Sequence, residues 1–196
     1  GQALVLLPEI AITQQLVDRF RACFSAGVDV MHSGLSDKHR ATVWTKFSQG
    51  HARILLGTRS AVWARARKLE CIIVDEEHDP SYKQQEGFRY NARAIAVYRS
   101  SRLGVPVVLG SATPSFETCR NATTGKYQLL KLIKRAAGAS LPKLQVEDIR
   151  GLKLNSGLSP HLISSINQRL AKQEQIILFL NRRGYAPVLL CHQCGA

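Results

Sequence analysis

Acidic residues are scarce in this sequence. Only 14 of its 196 residues are Asp or Glu, against 27 Lys or Arg, which leaves a formal net charge of +13. Beyond a merely solvated basic surface, such a surplus favours a polyanionic partner, because each neutralised phosphate releases counterions. Long apolar runs are also missing. No stretch approaches the ~20 residues that a membrane span needs, and the first residues show no basic flank followed by a signal core. A soluble, cytoplasmic protein is therefore expected. Cysteines number five. Cys23, Cys71 and Cys119 stand singly and read as buried thiols. Only Cys191 and Cys194 have metal-ligand spacing. Internal repeats and low-complexity tracts are absent. Hydrophobic residues, at 45%, are ample for a core.

What is present is an alternation of apolar runs and helical patterns. Residues 3–7, 28–32, 54–57, 71–74 and 105–109 are candidate strands, several of them continuous Val/Ile/Leu runs of the kind buried on both faces. Between them, Leu16, Val17, Phe20 and Phe24 share a helix face, with Gly27 as a stop. Ser36 caps a helix carrying Val43 and Phe47. Asn91 caps another, which turns Ile95 and Tyr98 inward and ends at Gly104. This alternation predicts an α/β fold, a parallel sheet with helices on both faces, over residues 1–133. Residues 134–158, rich in Gly, Ser and charge, read as a linker. From 159 onward Ser159-Pro160 opens a helix with Leu162, Ile163, Ile166 and Leu170 inward. A further strand is expected over 175–180, as the start of a second α/β unit.

The run "CIIVDEEHDPSYKQQEGFRYNAR" (71–93) holds most of the chemistry. Adjacent carboxylates repel, so Asp75, Glu76 and Glu77 need a cation or a task to hold them together. A strand that delivers an Asp-Glu pair at its C-terminal end, where open α/β sheets bind ligands, suits a nucleoside triphosphate site. Asp75 would hold Mg²⁺ through water, and Glu76 would orient or deprotonate the attacking water; a solvated strand end is the plainer alternative. Thr58, Arg59 and Ser60 follow another strand, and hydroxyls with a guanidinium there suit phosphate positioning. Pro8, Glu9 and Thr13 follow a third, and His32, Ser33 and Gly34 a fourth. Tyr82, Lys83, Phe88, Arg89, Tyr90 and Arg93 interleave rings with cations, as stacking on a single strand requires, unless the rings simply pack back on the domain. Cys191-x-x-Cys194-Gly195 has the shape of half a zinc site, two thiolates with a turn glycine.

D-E-E-H at 75–78 resembles the DEXH Walker B box of superfamily 2 helicases, and Gly110-Ser111-Ala112-Thr113 resembles the S-A-T motif III that follows it. More narrowly, "LLPEIAITQQ", "HSGLSDKHR", "GTRSAVW", "DEEHDPSYKQQEGFRYNAR", "LGSATPS" and "FLNRRGYAPVLLCHQCG" occur in that order. The ordered set resembles the PriA family of replication-restart DNA helicases across essentially the whole chain. The resemblance implies a RecA-like first domain with the beginning of a second RecA-like domain. It implies ATP and Mg²⁺ at Asp75, Glu76, Glu77 and His78, and coupling through Ser111, Ala112 and Thr113. An aromatic loop that senses single-stranded DNA is implied as well, as is a zinc-binding insertion beginning at Cys191 and Cys194. The partners it implies are single-stranded and forked DNA, other primosome proteins and single-strand-binding protein, at the nucleoid. A non-catalytic nucleic-acid-binding module and another DEXH motor are the rival readings. The family's G-x-x-x-x-G-K-[ST] phosphate loop does not appear, so an internal fragment or truncated record is expected, inactive alone. Gln14 stands where the family usually has proline, and Ala94 where it usually has an acid.

Overall fold

The computed structural model describes residues 1–134 and 142–179. The chain divides into two compact units, Gly1–Lys131 and Leu132–Ala196. Five strands form the first: β1 (Gln2–Leu6), β2 (Val28–Met31), β3 (Ile54–Gly57), β4 (Leu69–Val74) and β5 (Val107–Leu109). All four pairings are parallel, in the order β2-β3-β1-β4-β5. This is the expected parallel sheet. Consecutive side chains point to opposite faces of a strand. Leu4 and Leu6 accordingly join a core with Phe47, Leu55, Ile72 and Val74, while Val5 and Leu7 join Val17, Val28 and Leu56. Two cores on two faces explain why the central runs are apolar at every position. Phe47, fully buried, should cost roughly 3–5 kcal/mol on truncation to Ala.

Each helix starts where a side-chain oxygen can accept from an otherwise unpaired backbone N–H. Thr13 caps α1 (Gln14–Cys23), Ser36 caps α2 (Asp37–Gln49), Asn91 caps α3 (Ala92–Leu103) and Ser115 caps α4 (Phe116–Thr123). Gly104 ends α3 at φ 65°, a left-handed conformation open to glycine without penalty. Gly57 is required by close approach instead, since a Cβ there would meet the Ala61 Cβ at 2.2 Å.

Several expectations are corrected. α1 ends at Cys23, and Gly27 does not cap it; the Gly27 carbonyl accepts from Arg53 and Ile54 N–H instead. Phe24 and Tyr98 are 48% and 66% exposed. α3 is held down by its small residues Ala92, Ala96 and Ser100, which let it approach β4 closely. Cys23 and Cys119 are exposed and Cys71 half-buried, so none is the fully buried thiol expected. β5 starts only at Val107, because Pro106 has no N–H to give the ladder, although its carbonyl accepts from Ile72 N–H at 3.1 Å.

In the second unit Ser159 caps α5 (Pro160–Ala171) and donates to the Glu147 carboxylate at 2.6 Å. Ile163 and Ile166 are half-buried, whereas Leu162 and Leu170 are exposed. Residues 175–179 form no strand; a strand needs a neighbour to pair with, and the described residues of this unit offer none. Residue 180, Cys191 and Cys194 lie outside the described residues.

Candidate active site

The C-terminal edge of the sheet carries the site. β4 delivers Asp75 to that edge, where its N–H donates to the Leu6 carbonyl of β1 at 3.0 Å. The chain then turns sharply. Glu76 sits at φ 44°, a left-handed conformation that costs a non-glycine residue about 1 kcal/mol or more. Its N–H donates to the Asp75 carboxylate at 3.1 Å, and its carbonyl accepts from Asp79 N–H at 2.8 Å. The strained turn separates the three carboxylates: Asp75 is exposed, Glu76 half-buried and Glu77 2% exposed.

Glu77 points into the protein. Its carboxylate accepts from Arg93 at 2.6 Å, Ser115 N–H at 2.7 Å and the Thr118 hydroxyl at 3.0 Å. Burial alone would push this carboxyl up, but the Ser115 N–H, the Arg93 guanidinium and the Thr118 hydroxyl outweigh it and hold the pKa below its ordinary value. Arg93 in turn also reaches Glu117 at 3.7 Å. Neither member of the pair faces the open edge, so the geometry ascribes anchoring to Glu77 and Arg93. The Glu77–Arg93 pair ties this loop down with no acid at position 94.

Asp75 and Glu76 remain at the surface with hard oxygen donors, which fit a Mg²⁺ ion that keeps most of its own water. Among the described residues, no group of three or more His, Cys, Asp or Glu is arranged to hold a metal ion unaided. His78 is the link outward. Its Nδ1 lies 2.7 Å from Ser111 Oγ and 3.5 Å from a Glu76 carboxylate oxygen, and its Nε2 lies 3.4 Å from Thr113 Oγ1. Thr113 N–H also donates to Ser111 Oγ at 3.0 Å. The loop after β5 and the acidic turn therefore meet at one imidazole. Ala112 is exposed and contributes no polar side chain.

The aromatic loop splits in two. Tyr82 is 1% exposed and its hydroxyl donates to the Asp75 carbonyl at 2.6 Å; burial, then the charges of Asp75, Asp79 and Glu76, push its pKa far upward. A ring so enclosed cannot stack on a ligand, which corrects the binding role expected of Tyr82. Phe88, by contrast, is 76% exposed. It stacks on Tyr90 with centroids 6.1 Å apart, and Trp63 meets Tyr90 edge-on at 5.3 Å and Phe88 at 6.4 Å. Trp63, 44% exposed, completes a three-ring surface that sequence reasoning did not assemble. Its signal was the tryptophan that ends "GTRSAVW", whose partners lie far along the chain. Lys83 and Arg89 are exposed beside the rings.

Arg59 connects the two loops by donating to the Ser81 carbonyl at 2.9 Å and the Lys83 carbonyl at 3.3 Å. It lines a cavity of about 190 Å³ together with Glu9, Ser33, Arg40, Thr58, Ser60, Ser81, Gln84 and Tyr90. Glu9 accepts from the Ser33 hydroxyl across its mouth. Pro8 and Thr58 are buried and shape the loops from beneath, while Thr13 is engaged in capping α1. His32 accepts from Gly34 N–H at 3.1 Å, a local turn contact.

Residues 1–122 match the family model described as DEAD/DEAH box helicase. Among curated relatives, the chain is 47% identical over 99% of its length to the replication restart protein PriA of Haemophilus influenzae, covering 27% of that protein. It is 42% identical, again over 99%, to that of Bacillus subtilis, covering 24%. The chain thus spans about a quarter of the length of these relatives. Among solved structures, the C-terminal domain of S. cerevisiae Dbp5 aligns with a TM-score of 0.48 at 13% identity, over 65% of this chain and 72% of that one. With the family model spanning well over half the chain, this protein belongs to the DEAD/DEAH box helicases.

Proposed function

We propose that this chain is the catalytic-edge portion of an ATP-dependent DNA helicase that acts in replication restart. The observation that carries the reading is the placement, on one sheet edge, of the Asp75–Glu76 pair, the His78–Ser111–Thr113 contact and the Trp63–Phe88–Tyr90 rings. When bound, Mg·ATP supplies the transferable phosphoryl group and the cation that offsets its charge. Asp75 would hold that cation. Glu76 orients the attacking water and takes its proton. Bases of a single strand stack on Phe88 and Trp63 while Lys83 and Arg89 meet phosphates, and the Arg59–Ser60 loop tracks the backbone. Moving the rings moves the loop that Arg93 fastens to Glu77, one residue from both Glu76 and His78. Strand engagement is thereby felt at the hydrolytic turn through His78, Ser111 and Thr113.

Residues 1–133 would form the first helicase domain, 134–158 a linker and 159–196 the start of a second domain, with Cys191 and Cys194 supplying half of a zinc site whose remaining ligands lie elsewhere in the protein. Primosome proteins and single-strand-binding protein are the partners, in the cytoplasm at the nucleoid. Among the described residues no helix is long and apolar enough to cross a membrane. ATP hydrolysis by the longer protein that carries this chain, measured with and without single-stranded DNA, tests the reading. A rate raised severalfold by DNA supports it, and hydrolysis indifferent to DNA opposes it.

A further inference from the structure

A larger cavity, of about 540 Å³, lies at the other end of the sheet, between the segment that leads into β4 and the last turns of α3. Because β4 runs from Leu69 to Val74 at roughly 3.3 Å per residue, the cavity and the acidic turn stand at opposite ends of that strand. The cavity belongs to neither the hydrolytic turn nor the ring surface.

Its lining is one-sided in charge. Arg65, Arg67, Arg99 and Arg102 all border it, and no carboxylate does. Among the described residues none of these four arginines has a carboxylate within ion-pair distance; the lining Lys68 pairs with Glu70 at 3.3 Å. Arg99 is half-buried beneath the others and donates to the Val62 and Ala64 carbonyls. Those bonds engage both terminal nitrogens without cancelling its charge. Burial lowers its pKa accordingly. Four guanidiniums around one hollow repel each other until an anion arrives, and their planar forks match phosphate oxygens two at a time.

The walls are not simply polar. Tyr98 is 66% exposed and Leu103 55% exposed, so a ring face and an aliphatic edge stand beside the arginines. A volume of 540 Å³ falls within the ~300–1,000 Å³ typical of small-molecule sites. A flat basic track would suit a polymer. An open hollow with one ring and several forks suits a ligand that joins an aromatic base to phosphates.

We propose that this cavity is a second, non-hydrolytic nucleotide site that takes a nucleoside polyphosphate, its base on Tyr98 and its phosphates among Arg65, Arg67 and Arg102. The 196-residue chain would be titrated with fluorescently labelled GDP in EDTA, conditions that leave the acidic turn without a cation to attract phosphate. Saturable binding is expected, displaced by unlabelled GDP and, less strongly, by pyrophosphate. The pair R67Q/R102Q should weaken it at least about tenfold, as loss of two charge-assisted phosphate contacts implies. Tyr98→Ala should weaken GDP without affecting pyrophosphate. All three side chains are exposed, so these variants should fold. The equally charge-reduced pair R19Q/R120Q, away from the cavity, should leave binding unchanged. Absent binding, or equal loss in both pairs, would overturn the site. Binding of a short oligothymidylate without binding of free GDP would assign the cavity to a strand rather than to a free nucleotide. Displacement by hexaglutamate as readily as by GDP would show an acidic-peptide surface and overturn the proposal.

Discussion

Ser111 Oγ lies 2.7 Å from His78 Nδ1, and through that contact the loop after β5 is fastened to the turn that carries Asp75 and Glu76. The hydroxyl of Thr113 approaches the other ring nitrogen at 3.4 Å. An imidazole held on both sides would carry a shift of either loop to the other, as the proposed coupling requires.

Thr113→Ala should therefore leave folding almost untouched, since the residue is exposed and such changes usually stay within about 0.5 kcal/mol. In the longer protein it should reduce the stimulation of ATP hydrolysis by single-stranded DNA severalfold while sparing the unstimulated rate. Loss of both rates together, in a side-by-side ATPase assay, would place Thr113 in the chemistry rather than in the coupling.

The Glu77–Arg93 pair leads to a stability prediction. Glu77→Ala would leave a largely buried guanidinium with only the Ser115 hydroxyl and, at 3.7 Å, the Glu117 carboxylate, and breaking such a pair costs roughly 3 kcal/mol. Because the folded-state pKa of Glu77 is lowered, its contribution is complete above the unfolded-state value, near 4.5. It is lost as pH falls from there through the folded value. Urea unfolding of the wild type and of Glu77→Gln across acid pH should show a smaller pH slope in the variant. Identical slopes would mean that the pair does not set acid stability.

The frame was legible in the sequence because burial on both faces writes itself as continuous apolar runs, and because Ser36, Asn91 and Ser159 are residue types preferred at N-caps. Division of labour within the acidic run was not legible. Asp75, Glu76 and Glu77 are chemically alike, and only the left-handed backbone at Glu76 sends Glu77 inward and leaves the other two outside. Tyr82 and Phe88 likewise belong to one interleaved loop, yet one is core and the other surface. Trp63 reaches that loop only through folding. The run at 175–179 is as apolar as a strand should be, but a strand is a pairing, and composition does not supply the neighbour.

For the rings, Phe88→Ala and Trp63→Ala should each weaken single-stranded DNA binding by ~1–3 kcal/mol. Trp63 fluorescence should be quenched as strand is added. Full affinity with both rings removed, measured by fluorescence anisotropy, would return them to a packing role.

Tyr82→Phe removes a hydroxyl that donates to the Asp75 carbonyl at 2.6 Å and leaves that carbonyl at the base of the acidic turn without this partner. A loss of about 1 kcal/mol in urea unfolding is expected. DNA affinity should not change. A drop in affinity comparable to that of Phe88→Ala would mean that Tyr82 meets the strand after all.

Glu76→Gln tests the central claim most directly, because it keeps size and hydrogen-bonding capacity while removing the base. The measurement is the DNA-stimulated ATP hydrolysis of the longer protein that carries this chain, taken with its single-stranded DNA affinity in the same preparation. Hydrolysis should fall by at least about a hundredfold, as expected for a lost general base, with DNA affinity nearly intact. A variant that hydrolyses ATP at the wild-type rate would contradict the account.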